Sequence, residues 1–577
     1  MMKRRFAVLF LPALLFAQAG PSRDDALAAM RKAASFYLNE VSTEGGYHFY
    51  YAEDLSYGRS ESAEGPTRVE YQRSGTPIVA MAYLEAYEAT GEELFLQAAR
   101  RAGHAYLRGQ LCSGGWDYMV EFDPEKRKHY QYRADNNCGA DKAGVTNLDD
   151  NVTQSAVRVL MRLDRALGFQ DREIHEAARF ALDKLIEAQY PVGAWPQRFA
   201  KPPDPAKFPV KRASYPETWE RQWPGADYRS HYTFNDNTIA DAIDMMLEAA
   251  RIYNEPRYKA SAEKGGQFIL LAQMPDPQPA WAQQYDAGMH PAWARVFEPP
   301  SVTGGESQGI MRVLMMLYRE TGDRKYLEPI PRALAYLKSS ILPPVDQPSE
   351  ARARVKGPVL ARFYELRTNR PLYVTKGTRL SAAGLGSRMV DGYELSYDDS
   401  SVITHYGVLT SGAGLEEIER DYHELVRMAP EAIRRPEKLS GLSPWSERPK
   451  PERPLEALAR ECREIIGSMD ARGAWVTEGT IGKADRLVFL FAARDMVLRL
   501  GRAASDGGLG NRSSDGDRII RLRENDTVEI FQGEEPPRER ILESDVFARN
   551  LLTLAEYCRR STRNAPPALP GGQGFAR

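Results

Sequence analysis

Four segments of the chain carry apolar residues at i, i+3, i+4 and i+7, and they begin and end alike: Thr76 to Gly91, Thr153 to Gly168, Thr238 to Asn254 and Ser307 to Gly322. That spacing keeps one face of a helix apolar. Each segment opens on Ser or Thr, which cap helix N-termini, and stops at Gly or Asn, which accept the left-handed conformation that ends a helix. The pattern predicts four capped helices, with Thr153 and Thr238 capping their own. A second helix follows each stop, within LFLQAARRAGHAYL, EIHEAARFALDKLI, YKASAEKGGQFIL and YLEPIPRALAYLKS. Three of these lead into a tryptophan turn, Gly115-Trp116, Ala194-Trp195 and Ala280-Trp281, and a helix over Leu455 to Met469 leads into Ala474-Trp475. A repeat of about 70–90 residues is too long for the common short solenoid units and predicts helical hairpins with long loops. The amphipathic stretch from Glu543 to Arg559 reads as a last helix that closes a ring. The predicted fold class is all-α, an (α/α) toroid of repeated helical hairpins with long loops at the mouth.

In such a ring the inner helices aim their N-termini at one mouth, so residues far apart in sequence converge there. These are Arg73-Ser74-Gly75, Asp149-Asp150-Asn151-Val152, Asn235-Asp236-Asn237 and Gly304-Gly305-Glu306. A lone Asp before a helix is ordinarily an N-cap. Here a Thr is available for that role in each case, and Asp149 and Asp236 are read as matched positions of successive repeats. Hard oxygen ligands on loops suit calcium, which accepts 6–8 oxygens, while helix N-termini favour an anionic ligand. Two further groupings carry cations: Trp293-Ala294-Arg295-Val296-Phe297-Glu298 after Gln283-Gln284-Tyr285-Asp286, and Ala361-Arg362-Phe363-Tyr364-Glu365 followed by Arg370 and Lys376. The guanidinium fork matches a carboxylate.

A formal charge of −2 with balanced signs leaves no basic patch for nucleic acid, and 42% hydrophobic residues supply a large core. Met1 to Arg5 is basic, Phe6 to Phe16 apolar, and Ala17-Gln18-Ala19 small, which together predict a signal peptide over 1–19 and a secreted or periplasmic protein. The apolar run is about half of the roughly 20 residues a membrane span needs. The remainder, 20–577, reads as one toroidal domain with insertions at about 377–454 and 480–540. Within them, 425–456 is rich in Pro, Arg and Glu and 501–518 in Gly, Ser and Asp, and both read as loop. Four cysteines allow three pairings; Cys112 with Cys138 would staple one loop, and Cys462 with Cys558 would join the last two helical segments.

Taken in order, SGGWDY (113–118), GAWPQRF (193–199), TFNDN (233–237), ARVFEPPS (294–301), ARFYELRTNRPLY (361–373) and FARNLLTLAEY (547–557) resemble polysaccharide lyase family 10, the pectate lyases with an (α/α)₃ toroid. The resemblance implies cleavage of polygalacturonate by calcium-assisted β-elimination. It puts Arg295 in the place of the catalytic arginine base, Asp149 and Asp236 in calcium-ligand places, and Arg362 on a uronate carboxylate, with Asn235, Arg370 and Lys376 as further substrate-binding residues. Arginine holds its proton tightly, so Glu298, Glu306 and Asp286 stand as alternative bases. The implied partner is an acidic polysaccharide, polygalacturonate, with no nucleic acid and no membrane, and the protein is expected to be a monomer. The chain departs from the family at Val374-Thr375-Lys376-Gly377, where a further arginine is expected, and in a longer 197–233 segment with Trp219 and Trp223. Two other readings are a toroidal glycoside hydrolase using Asp149 or Asp236 with Glu306, and a non-catalytic uronan-binding protein.

Overall fold

Helices α2 (Thr76–Thr90), α4 (Val152–Ala166), α6 (Thr238–Tyr253) and α8 (Glu306–Thr321) form over the four periodic segments. Their companions are α3 (Glu93–Gly109), α5 (Arg172–Glu187), α7 (Pro256–Ala272) and α9 (Ile330–Ser339). Helix α1 (Arg23–Phe36) precedes them, and α10 (Gly414–Arg427), α11 (Leu455–Gly467) and α12 (Ser544–Arg563) follow. This computed structural model describes residues 20–563 apart from 140, 226, 377–392, 400–401, 403–406, 434–438, 447–451, 482–486, 493–517, 523–526 and 533–537. The predicted signal peptide and nearly all of the 501–518 stretch lie outside the described residues.

The helices pack as two concentric layers. Inner neighbours run α12, α2, α4, α6, α8, α10, and outer neighbours run α11, α1, α3, α5, α7. The (α/α) toroid is therefore present, as six hairpins among the described residues rather than the three units implied by the family resemblance. Helix α12 packs on both α1 and α2, joining the end of the chain to its beginning. In α6 each residue from Thr238 to Ala249 is buried, the mark of a helix surrounded by protein, whereas α10 buries only Leu415, Ile418 and Leu425. Helix α10 falls within the stretch expected as an insertion and packs against α8 and α9. A three-stranded sheet, 487–492, 518–522 and 527–532, falls within the second. Among the described residues no helix is long and apolar enough to cross a membrane.

The Ser and Thr residues at the inner helix starts do not cap them. Helices α2, α4, α6 and α8 lack any side-chain cap bond. Three of the hydroxyls instead clamp the preceding aromatic turn: Thr153 accepts from the Trp116 N–H at 3.0 Å, Ser307 from the Trp281 N–H at 3.1 Å, and Thr76 from the Tyr47 N–H at 3.0 Å, while the Thr238 hydroxyl donates to the Asn235 backbone carbonyl at 2.9 Å. The buried hydroxyl satisfies a backbone donor that packing would otherwise strand. Each indole N–H then donates to a carbonyl near the C-terminus of the preceding outer helix: Trp116 to Tyr106, Trp195 to Leu185 and Trp475 to Ile465 at 2.8 Å, and Trp281 to Ile269 at 2.9 Å. Tryptophan recurs because it fills the turn and ties it to one of the helix's last carbonyls.

Short ladders link the mouth loops in series. Thr146–Asn147 pairs with Arg198–Phe199, Tyr232–Thr233 with Gln284–Tyr285, and Ser301–Thr303 with Phe363–Glu365. Below them a buried ion network joins α4 to α6. Arg158 pairs with Asp244 at 3.0 Å and also with Glu248, which takes the Arg162 Nε at 2.5 Å. Burial would raise the Glu248 carboxyl, yet the two arginines hold it down at about 2. Cys112 and Cys138 form a disulfide with Cα atoms 5.8 Å apart. Cys462 and Cys558 remain buried thiols instead of bridging α11 and α12. Glu248→Ala leaves the buried Arg162 without its carboxylate and Arg158 with Asp244 alone, and is expected to cost about 3–5 kcal/mol in denaturant unfolding; a loss below 1 kcal/mol would show that the network carries no such weight.

Candidate active site

The turns entering α4 and α6 have the same backbone. Asp150 and Asn151 have φ of 49° and 61°, and Asp236 and Asn237 have φ of 48° and 58°. Asp and Asn tolerate this left-handed region better than other side-chain-bearing residues. The register follows from the shared Asp-Asn pair: Asp150, rather than Asp149, is the counterpart of Asp236, and Asp149 matches Asn235. Counting back from Thr153 and Thr238 conceals this, since α4 starts one residue before its threonine and α6 on it. The Asp-Asn dipeptide was the available signal for Asp150.

Because α4 and α6 are neighbours, the two turns meet. Asp149, Asp150 and Asp236 each offer a carboxylate oxygen, and these oxygens lie within 4.8 Å of one another. The Tyr118 hydroxyl, from the SGGWDY turn, donates to Asp149 at 3.1 Å and to Asp150 at 3.0 Å. Burial beside these two acids pushes its phenol far above the ordinary range, so it stays a donor. The buried Asp149 Oδ1 accepts no hydrogen bond among the described residues. Burial, and then the charges of Asp149 and Asp150, drive the Asp236 carboxyl up to about 8, against the lowering pull of Arg295. Burial and Asp149 raise Asp150 as well. Three carboxylates this close cannot all ionise cheaply without a cation.

Cations flank the acids. The Arg295 guanidinium reaches Asp236 at 3.4 Å and Glu298 at 3.0 Å, while its backbone N–H donates to Glu298 at 2.8 Å. Arg362 donates to the Asn235 side-chain Oδ1 at 3.1 Å and pairs with Glu306 at 2.6 Å. A continuous chain of contacts therefore runs from Glu298 through Arg295, Asp236, Asn235 and Arg362 to Glu306. The structure brings Asp149, Asp236, Arg295, Asn235 and Arg362 to one place. Arg370 stands apart, its guanidinium 3.4 Å from the centre of the Tyr397 ring. The backbone of Lys376 pairs with Tyr393, and its side chain lies outside the described residues. Asp286 accepts the His290 N–H at 3.0 Å and is not part of the chain above.

A wall that sequence reading treated only as loop also touches the site. Asn151 donates to the Leu442 carbonyl at 3.2 Å and to the Ser443 hydroxyl at 3.0 Å, and Gly441 N–H donates to Glu85 at 3.1 Å. The Trp445 indole donates to Asp241 at 2.7 Å, and burial holds that carboxyl up at about 7. Residues 441–445 thus bind α2, α6 and the turn entering α4 beside the acidic trio.

The raised Asp236 gives a pH signature. Between its unfolded value near 4 and about 8 the folded protein binds more protons than the unfolded chain, so stability without metal falls as pH rises across that window. Asp236→Asn is expected to flatten the fall and raise the melting point of chelated protein near pH 8. The gain is about 1 kcal/mol, because the side chain is 35% exposed and screened. An unchanged slope in melting curves from pH 5 to 9 would place its origin elsewhere.

Residues 125–383 match the family model described as pectic acid lyase. No curated protein matches the chain. Among solved structures, a family 10 polysaccharide lyase from Cellvibrio cellulosa is 20% identical over 56% of this chain and 92% of its own, with a TM-score of 0.39. A mutant of the Cellvibrio cellulosa family 10 lyase in complex with trigalacturonic acid is 20% identical over 59% and 98%, with a TM-score of 0.38. A GH76 α-mannanase from Bacteroides thetaiotaomicron is 8% identical over 93% and 96%, with a TM-score of 0.36. The segment matched by the family model holds Asp149, Asp150, Asp236, Arg295 and Arg362, so the candidate site lies within the part of the chain that is similar to pectic acid lyases.

Proposed function

We propose that this protein cleaves polygalacturonate by calcium-assisted β-elimination. The observation that carries the reading is the meeting of Asp149, Asp150 and Asp236 with Arg295 and Arg362 at one mouth. The trio fits a hard cation: its oxygens lie within 4.8 Å of one another, one buried Asp149 oxygen accepts no hydrogen bond among the described residues, and burial and then the neighbouring acids raise the Asp236 carboxyl. Calcium bound there would neutralise the uronate carboxylate as a Lewis acid.

Elimination removes the C5 proton, forms the C4–C5 double bond with that electron pair, and breaks the C4–O bond, whose oxygen takes a proton to become a new reducing end. The C5 hydrogen is acidic only when the adjacent carboxylate is neutralised. Arg362 is a pre-oriented donor for that carboxylate, held by Asn235 and Glu306 and 17% exposed. Arg295 is the group assigned to the C5 proton. Its partners Asp236 and Glu298 favour the protonated guanidinium, which opposes a base role while both remain ionised. Arg295 shares Asp236 with the proposed cation site, so loading that site withdraws one of the two carboxylates that hold its proton. The alternative bases are otherwise engaged: Glu298 holds the Arg295 backbone, Glu306 holds Arg362, and Asp286 holds the His290 loop. Glu306, the carboxyl that a glycoside hydrolase reading would pair with Asp149 or Asp236, is held by Arg362 at 2.6 Å. The Cys112–Cys138 disulfide accords with an exported enzyme.

Purified protein given polygalacturonate and calcium is expected to produce the ultraviolet absorbance of the conjugated double bond, and chelator is expected to abolish it. Arg295→Ala is expected to lower kcat by about 10²-fold or more. Asp150→Ala is expected to raise the calcium concentration for half-maximal rate by about tenfold or more. Absence of unsaturated product from every uronan tested would refute the activity.

A further inference from the structure

The segment before Thr233 is built onto the loop that carries Arg295. The Trp293 indole donates to the Glu220 carbonyl and the Trp223 indole donates back to the Ala294 carbonyl, both at 2.8 Å. Between these two pins, Arg221 crosses to Glu365 and to the Tyr397 hydroxyl. Its guanidinium lies 4.7 Å from the centre of the Trp219 ring. Tyr397 donates to Glu365 at 2.6 Å and carries the Arg370 guanidinium on its face at 3.4 Å. Arg370 itself makes no ion pair among the described residues.

Two features of this shelf call for a ligand. Glu365 pairs with Arg221, while the Arg370 guanidinium lies on the Tyr397 ring without an ion pair among the described residues. Trp223 and Tyr397 are 36% and 37% exposed, and the Arg221 side chain is 48% exposed. Exposed ring faces beside guanidinium forks suit a sugar acid, whose C–H face covers an aromatic ring while its carboxylate takes the fork. The position is also suitable. Trp223 abuts Ala294, one residue from Arg295, and Glu365 lies three strand residues beyond Arg362, a separation of about 10 Å at roughly 3.3 Å per residue.

We infer that Trp219, Arg221 and Trp223, with Tyr397 and Arg370, form an outer subsite that grips a second uronate of a chain whose reacting unit sits between Arg295 and Arg362. The inference rests on the lyase reading above and adds where the polymer runs beyond the scissile bond. A subsite remote from the reacting atoms contributes binding shared by ground and transition states, so its loss appears in KM more than in kcat.

The test is a set of variants, Trp223→Ala, Arg370→Ala, Arg221→Ala and Arg221→Lys, assayed on polygalacturonate and run on gels containing polygalacturonate in an Arg295→Ala background. The first three are expected to raise KM about tenfold with kcat within about twofold, and to lose much of the gel retardation. Arg221→Lys, which keeps charge but loses the fork, is expected to recover only part. Arg370→Ala removes no ion pair, so a purely structural Arg221–Glu365 clamp would leave its KM and retardation unchanged. If wild-type protein forms unsaturated product while Trp223→Ala and Arg370→Ala match its KM and retardation, the subsite is overturned and the lyase reading stands. If wild-type protein is retarded without cleavage, the variants' retardation decides the subsite alone. If it neither cleaves nor is retarded, both fall.

Discussion

Helices α4 and α6 lie side by side with Arg158 and Arg162 on one and Asp244 and Glu248 on the other, all buried. Ionic groups without water tolerate no slippage, because moving one helix by a turn would leave charges uncompensated. The network therefore sets the relative height of the two helices, and with it the meeting of the two left-handed Asp turns at their N-termini. The carboxylate trio, its contact with Arg295, and the Asn235 link to Arg362 all depend on that register.

The mouth stores electrostatic stress by design of its loops. Positive φ at Asp150, Asn151, Asp236 and Asn237 turns the chain sharply into each helix and brings the carboxylates close enough to raise two of them. The flanking arginines are in turn held by carboxylates of their own, Glu298 and Glu306, so their forks are oriented before any ligand arrives. Acid and cation alternate along one chain of contacts, an arrangement suited to a ligand that is itself anionic and to a cation that bridges it to the protein.

Two segments outside the helical repeat shape this mouth. Residues 441–445 brace its floor through Asn151 and Asp241, and the 219–223 segment extends its wall from Ala294 towards Glu365. The helical ring provides rigidity, and the loops threaded between its repeats provide the chemistry and the reach, consistent with function residing on loops positioned by a scaffold.

Much of the fold was legible because helix periodicity and stop signals are local. The four inner helices, their partners, the tryptophan turns and the closing helix after Glu543 all follow from patterns within about 20 residues. Helices α1 and α10 were missed, being hidden beside the N-terminal leader and among loop-like composition. The convergence of Asp149, Asn235 and Asp236 was readable from the repeat, since matched positions in a ring share one end, whereas Arg295 and Arg362 were reached through the family resemblance. What the inner threonines and Ser307 bind was not readable, because a hydroxyl in the first turn of a helix chooses between its own backbone and a neighbour's only when that neighbour is in place. The equivalence of Asp150 with Asp236, the separation of Arg370 from the trio and the thiol state of Cys462 and Cys558 were likewise decided by tertiary structure. Each depends on distances between groups far apart in sequence, and sequence periodicity specifies which face of an element is buried but not what it is buried against.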